Sequence, residues 1–531
     1  MGENEMTKKC LAILEVSQKQ AFIFASNKLN DNITNSAIIA WVTSSDFFKS
    51  VAGTGYSEEE NLIYSGGGHT ILEFSSKENA INFTKLVTNE VYRQYVGLEL
   101  FVKLYETKEK PCADDISKLL MELEAKKSIR RASFSKGYFG IEQIDSNTLD
   151  PILLTIDGRP FEKKKPDAEE QLDKMLSPDG FHRAFEFGKL GGSKGKSNFI
   201  SVVHIDGNAM GKRVEGIRIS YGENDWDDYK GILKKFSESV NADFMTSYKE
   251  MCEDVALLIN NEKLENLSLQ ADQNGMRYFP IRRIITAGDD ICFVTEGRIG
   301  IECARIFLEK LSAKKNKVDK CGYSACAGIA IVHQKYPFYK AYELAEMLCS
   351  NAKGYLATLG DQAGFDATTN CSAIDWHIEY GEIKDTLKET REMYETMDGN
   401  RMELRPYIIC SNVDLPDDEK VRSYGNYRSL MKNLQSKKIG YANSKLKQLR
   451  SSIREGEEVT KLYMKSNLID ELSLLGYQDI FIEMQVDDIG KGRGLERKAF
   501  VKTFDGRKRS IFFDAIEMLD SYIVLGKEGD E

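Results

Sequence analysis

Histidine is scarce in this chain, five in 531 residues, and its ten cysteines include no Cys-x-x-Cys pair. Zinc sites draw on closely spaced Cys and His ligands, so none is expected. Cys321 and Cys326 lie five apart in a segment that enters a strand, and the cysteines are expected to be reduced core thiols. No run approaches the twenty apolar residues of a membrane span, and the start, Met-Gly-Glu-Asn-Glu-Met-Thr-Lys-Lys-Cys, lacks a signal peptide's basic region and apolar core. A cytoplasmic protein without membrane contact is the expectation. Positive charge is also short: 73 Lys and Arg against 83 Asp and Glu give a net charge of −10 and a pI near 5.4. Coating nucleic acid non-specifically requires many cations, so that class is disfavoured, whereas small nucleotides remain compatible with a local metal site.

What is present is a globular composition, 41% hydrophobic and 29% charged, long enough for three or four domains. Residues 1–110 give a strand, helical spacing near 37–51, a glycine-tipped hairpin over 62–74, a helix over 77–95 and a strand over 98–105. Residues 111–195 form a charged, partly helical linker region with polar breaks at 163–167 and 191–196. Residues 196–395 repeat the first order: strand 199–205, hairpin 280–295, helix 300–313, strand 323–333, helix 338–356. Residues 396–531 form a mostly helical C-terminal domain. The repeated order indicates a divergent internal duplication. The fold class expected is α+β, two ferredoxin-like domains followed by the helical one.

Two segments carry chemistry. Phe-Ile-Ser-Val-Val-His-Ile over 199–205 is a buried-strand pattern that ends at Asp206, and Ala287-Gly288-Asp289-Asp290 separates two further strand-like runs. Gly and Asp tolerate the backbone of a tight turn, which places Asp289 and Asp290 at a hairpin tip. If the first strand pairs beside that hairpin, Asp206, Asp289 and Asp290 converge as catalytic, metal-binding carboxylates. Joining a ribose hydroxyl to an α-phosphate places charge on both the attacking and the leaving oxygen, and two Mg²⁺ or Mn²⁺ ions held by two or three aspartates neutralise it. Gly207, Asn208, Gly211, Lys212, Gly288 and Lys353 are candidate nucleotide contacts in this unit; Arg213 is a further candidate for phosphate.

Other signals are weaker. Gly195-Lys196-Ser197 imitates a phosphate loop, but Leu190 stands where the motif needs glycine and a strand follows instead of a helix. The first unit has Gly66-Gly67-Gly68-His69 where the second has Ala287-Gly288-Asp289-Asp290, and Glu15 where it has Asp206. Glu15 and His69 cannot build a carboxylate cluster, so this unit is expected to bind nucleotide or to serve structure, with Gly67, Gly68 and His69 as its contacts. Arg422 to Arg454 is rich in Lys and Arg, either a solvated helical face or a contact for RNA or protein.

These residues resemble the polymerase/cyclase large subunit of type III CRISPR effector complexes and its stand-alone defence relatives. Asp206-Gly207-Asn208-Ala209-Met210-Gly211-Lys212 is similar to that family's Asp-Gly-Asp-x-Met-Gly-Lys, and Ala287-Gly288-Asp289-Asp290 to its Gly-Gly-Asp-Asp. Ala327 to Pro337, Ala345 to Lys353, Glu15 to Phe24, Ile374 to His377 and Arg405-Pro406-Tyr407 extend the likeness. The resemblance implies two palm domains, the second catalytic and the first holding a partner nucleotide. It implies condensation of ATP or another NTP into cyclic oligonucleotide messengers for antiviral defence, in a defence complex or a homo-oligomer. Asn208 and Ala287 depart from the pattern, and neither an HD nuclease nor a Cys₄ zinc site is present, which favours a stand-alone synthase or a reduced subunit. The alternative is a non-catalytic palm pair that senses nucleotide or RNA. A diguanylate-type cyclase would carry Glu-Phe where Asp290-Ile291 stands.

Overall fold

The computed structural model describes residues 8–95, 97–107, 110–129, 141–144, 151–152, 165–191, 198–223, 225–261, 264, 266–381, 384–436, 442–469 and 499–526. Most of the polar break at 191–196, Lys163 and Lys164, the phosphate-loop mimic Gly195-Lys196-Ser197, and Lys437 and Lys438 of the basic run lie outside them.

The first sheet has four strands, β1 (Cys10–Val16), β2 (Leu62–Gly66), β3 (His69–Phe74) and β4 (Leu100–Glu106), in the antiparallel order β2-β3-β1-β4. Helices α1 (Lys19–Ile23), α2 (Leu29–Val42), α3 (Ser45–Ser50) and α4 (Glu58–Asn61) connect β1 to β2, and α5 (Lys77–Gln94) connects β3 to β4. This is the ferredoxin-like βαββαβ arrangement. Strand side chains alternate between faces, so Leu11 and Ile13 enter one core while Cys10, Ala12, Leu14 and Val16 enter the other. The chain from Lys9 to Phe24 is strand, turn and helix. The polar stretch 26–35, not expected to be helical, begins α2: Asn35 is buried because its Nδ2 donates to the carbonyls of Phe22 and Ile23 at the end of α1.

The sheet's helical cover continues beyond residue 110, since α6 (Ala113–Ser128) packs on β1 and β4. Helix α7 (Asp167–Leu176) is fastened to the second sheet by buried ion pairs, Asp173 with Arg282 and Arg283, and Glu169 with Arg283. The second sheet contains β5 (Phe199–Gly207), β6 (Ile281–Ala287), β7 (Asp290–Glu296), β8 (Ala325–His333), β9 (Cys371–Glu379) and β10 (Tyr407–Ser411), in the order β10-β9-β8-β5-β7-β6. Its four strands β6-β7-β5-β8 reproduce the first sheet's order; β9, parallel to β8, and β10 extend it, the latter beyond the boundary expected at 395. Its helices are α8 (Met210–Tyr221), α9 (Trp226–Asn260), α10 (Gly300–Ser312) and α11 (Phe338–Ala363). Residues of both units share continuous cores, and Phe24 of the first unit lies ring to ring with Tyr342 of α11 at 4.2 Å.

Helices α12 (Ala367–Asn370) and α13 (Leu387–Arg391) lead to a C-terminal part with α14 (Tyr424–Gln435), α15 (Asn443–Glu455), α16 (Glu457–Ser466) and a small hairpin of β11 (Phe500–Lys502) and β12 (Lys508–Ser510). Buried Glu302 of α10 anchors it, accepting from the hydroxyls of Tyr424 (2.8 Å) and Tyr522 (2.6 Å) and from the Leu525 N–H (3.0 Å). Within the basic run 422–454 two arginines turn into the interior, whereas α15 presents a solvated face that carries Lys447 and Arg454. Arg422 pairs with Glu419, Arg428 with Glu302, Lys447 with Asp520 and Arg450 with Glu517. The ten cysteines are free thiols, most of them buried. Among the described residues no helix is long and apolar enough to cross a membrane.

Helix α11 rests directly on β8 at Gly328, where a Cβ atom would stand 2.0 Å from the Ala345 carbonyl oxygen and 2.3 Å from the Cys349 nitrogen. Backbone is the obstacle, so relief requires the helix to lift. Gly328→Ala is expected to lower unfolding stability in urea by about 3 kcal/mol; an unchanged midpoint would refute this packing.

Candidate functional site

Asp206 is the penultimate residue of β5, and the register of β5 with β7 sets it directly opposite Asp290. Gly288, at φ +70°, and Asp289 form the two-residue tip between β6 and β7, and Asn241 Oδ1 of α9 accepts from the Gly288 N–H at 3.4 Å. Asp289 thus occupies the tip and Asp290 is the first residue of the return strand. The turn folds back onto Gly207, whose N–H donates to the Asp289 carbonyl at 3.2 Å. A Cβ on Gly207 would lie 2.9 Å from the Asp289 side chain, so glycine is what admits the aspartate. Asp206 and Asp290, 84 positions apart, are therefore adjacent.

Burial first, and then the charge of Asp206, raises the Asp289 pKa to about 6 and the Asp290 pKa to about 7. Asp290 also feels Glu346 of α11, and its Oδ1 is a buried atom without a hydrogen-bond partner, as is His204 Nδ1, 3.5 Å away. Burial keeps His204 neutral by lowering its pKa. Lys353 Nζ donates to Asp206 Oδ2 at 2.6 Å and to the Gly207 carbonyl at 3.0 Å. Burial would discharge that lysine, but the Asp206 carboxylate outweighs it and raises its pKa.

The donor set, three carboxylates with one orphaned buried oxygen, fits a hard divalent cation, which takes oxygen ligands and relieves their repulsion. The carboxylates adjoin without enclosing a point: among the described residues no three His, Cys, Asp or Glu side chains are arranged to hold an ion. Asp206 faces Lys353 instead.

Asp289 and Asp290 line a cavity of about 600 Å³ whose other wall is the first unit. Glu15, Lys19, Gly66, Gly67 and Gly68 face it, as does Lys127 of α6, paired to Glu15 at 2.8 Å. Gly67 and Gly68 have φ of +59° and +75°, as a tight tip requires. His69 is opposite Glu15, lies against the Tyr64 ring, and is held neutral, at a pKa of about 4, by burial and then by Lys19. Gln20 crosses to Glu346 at 2.7 Å, joining the units beside the cavity.

The remaining candidates lie apart from the carboxylates' side chains. Asn208 is buried, its Nδ2 donating to the Cys371 carbonyl at 3.1 Å. Lys212 pairs with Asp366 at 3.0 Å, Gly211 is exposed on α8, and Arg213 is held bidentately by Asp319 at 2.8 Å. Lys19, Lys127, Asn241, Tyr342 and Glu346 were not singled out from sequence. Four of them sit within ordinary helical patterns, and only Lys19, four residues after Glu15, had a positional signal, through the duplication.

Removing one charge from this crowded group is expected to stabilise the fold. Asp290→Asn is expected to raise the melting temperature by about 2 °C in metal-free buffer at pH 8; a fall would mean that the carboxylate is favourably engaged.

Neither a protein-family model nor a curated protein matches the chain. Solved structures do. The Csm1–Csm4 cassette in complex with cA3 aligns over 98% of this chain and 70% of the matched chain, at 11% identity and a TM-score of 0.53. The cassette with pppApApA covers 97% and 70%, at 12% identity and 0.52, and the cassette with AMPPNP covers 98% and 70%, at 12% and 0.50. At such identities the likeness is one of fold, and the chain has the fold found in Csm1–Csm4 cassettes, as its resemblance to the large subunit of type III CRISPR effector complexes implies.

Proposed function

We propose that the protein is a nucleotidyltransferase that condenses ATP into cyclic oligonucleotides, acting in the cytoplasm within a type III CRISPR-like defence complex. The observation that carries this reading is the register pairing of Asp206 with Asp290 at a cavity whose opposite wall is a second copy of the same fold. In this reading both units are palms. The similar cassettes are complexes with pppApApA, cA3 and AMPPNP, which supports adenine nucleotides as the substrate class.

Asp206, Asp289 and Asp290 would hold Mg²⁺ or Mn²⁺, which when bound lowers the pKa of a ribose hydroxyl and neutralises the triphosphate. The chain's residues do the rest. Gly207 and Gly288 keep the turn free of side chains, Lys353 offers a cation that exchanges Asp206 for phosphate, and the first unit's glycine tip seats the partner nucleotide. The hydroxyl attacks an α-phosphate, pyrophosphate leaves, and a final intramolecular condensation closes the ring. The rival reading, a non-catalytic sensor, is favoured by the Lys353 pair on Asp206.

Incubation of the purified protein with ATP and Mg²⁺ or Mn²⁺, followed by mass spectrometry, decides between them. Asp289→Ala/Asp290→Ala is expected to abolish product while the circular dichroism spectrum is kept, and synthesis by this variant would sink the assignment. Lys353→Met is expected to lower the rate about tenfold or more while tightening Mn²⁺ binding; a Mn²⁺ affinity unchanged by the substitution would show that the lysine does not compete for Asp206.

A further inference from the structure

The first unit repeats the backbone of the second unit's site with different charges. Glu15 stands where Asp206 stands, and three residues later Gln18 and Ala209 both take the left-handed conformation, at φ +48° and +57°, each preceding a helix. On the partner strand His69 faces Glu15 as Asp290 faces Asp206. The Val16 N–H donates to the Gly68 carbonyl at 3.0 Å, as Gly207 does to Asp289. Each carboxylate also receives a lysine from the helix after the fourth strand, Lys127 at 2.8 Å and Lys353 at 2.6 Å.

Against that shared frame three positions change the charge. Gly68 and His69 replace Asp289 and Asp290, and Lys19, the first residue of α1, replaces Met210, the first residue of α8. Lys19 lies across the glycine tip. Its Nζ donates to the Gly67 carbonyl, and its Cε and Cδ stand 3.1 and 3.3 Å from where a Cβ on Gly68 would be. A side chain at 68 would therefore press on both Lys19 and Ile39, whose Cγ2 stands 3.0 Å from that Cβ. Lys19 and Lys127 both face the shared cavity.

We propose that Lys19 is a built-in cation, its ammonium, with that of Lys127, doing in the first unit what a divalent ion does in the second, so that this unit binds the phosphate chain of a nucleotide without metal. Lys127 is already paired with Glu15 and Glu124, so the Lys19 ammonium adds a positive charge at the tip that repels a divalent ion and attracts phosphate as a point charge. Two aspartates lost and one lysine gained move the tip by three charge units toward positive. The inference rests on the nucleotide reading of the cavity.

Titration calorimetry with ATP in EDTA tests it, on the wild type, Lys19→Met, Lys19→Arg and Asp289→Ala/Asp290→Ala. The wild type and the aspartate variant are expected to bind ATP in EDTA, Lys19→Met to lose about tenfold or more in affinity, or 1.4 kcal/mol, and Lys19→Arg to retain most of it. Lys19 is half-buried and methionine preserves its length, so the melting temperature should hold. Wild-type affinity in Lys19→Met, or a requirement for Mg²⁺ before the wild type binds any ATP, would overturn the proposal. If the EDTA results hold and no product forms with Mg²⁺, the synthase reading falls and this one stands; product without binding in EDTA gives the reverse.

Discussion

Carboxylates that share a partly buried site repel one another, and most of the second unit can be understood from what holds three of them there. Strand pairing fixes Asp206 against Asp290, the bare backbone of Gly207 lets Asp289 approach, and helix α11 supplies Lys353 to meet Asp206. The helix is placed by Gly328, without an intervening side chain. Stability is surrendered locally in exchange for charge density, which the broad cores beneath both sheets can absorb.

The first unit resolves the same problem differently. It keeps one acid, Glu15, and meets it with Lys127, while its glycine tip is covered by Lys19. Glu15 there needs no external cation for electrical balance. The two halves of the cavity therefore differ in electrostatic character although their backbones coincide bond for bond at the strand ends. A ligand with a long anionic chain at one end would distinguish them.

The carboxylate site was legible because its residues are read locally: a β-branched run ending in Asp206 and a Gly-Asp turn between strands each predict their own geometry. Hairpin, strand order and duplication followed from the same patterns. Lys127 and Glu346 were not legible, because α6 and α11 are ordinary amphipathic helices whose facing is decided by packing. Neither was the helical start at Leu29, where the polar Asn35 is buried to hold the end of α1. The basic stretch after 422 was legible only in part: Arg428 meets the sequence-distant Glu302 in the interior, while Lys447 and Arg450 lie on the more exposed face of α15 beside Asp520 and Glu517.

Two copies of one sheet facing across a common cavity make the arrangement that a symmetric pair of separate chains would form, each presenting the same surface to the other. In such a pair any change to one site is imposed on both. The pairing of Gln20 with Glu346 and of Phe24 with Tyr342 lies within a single polypeptide, so this chain escapes that rule. Each half can change its chemistry without obliging the other to follow, and asymmetry becomes heritable in one gene.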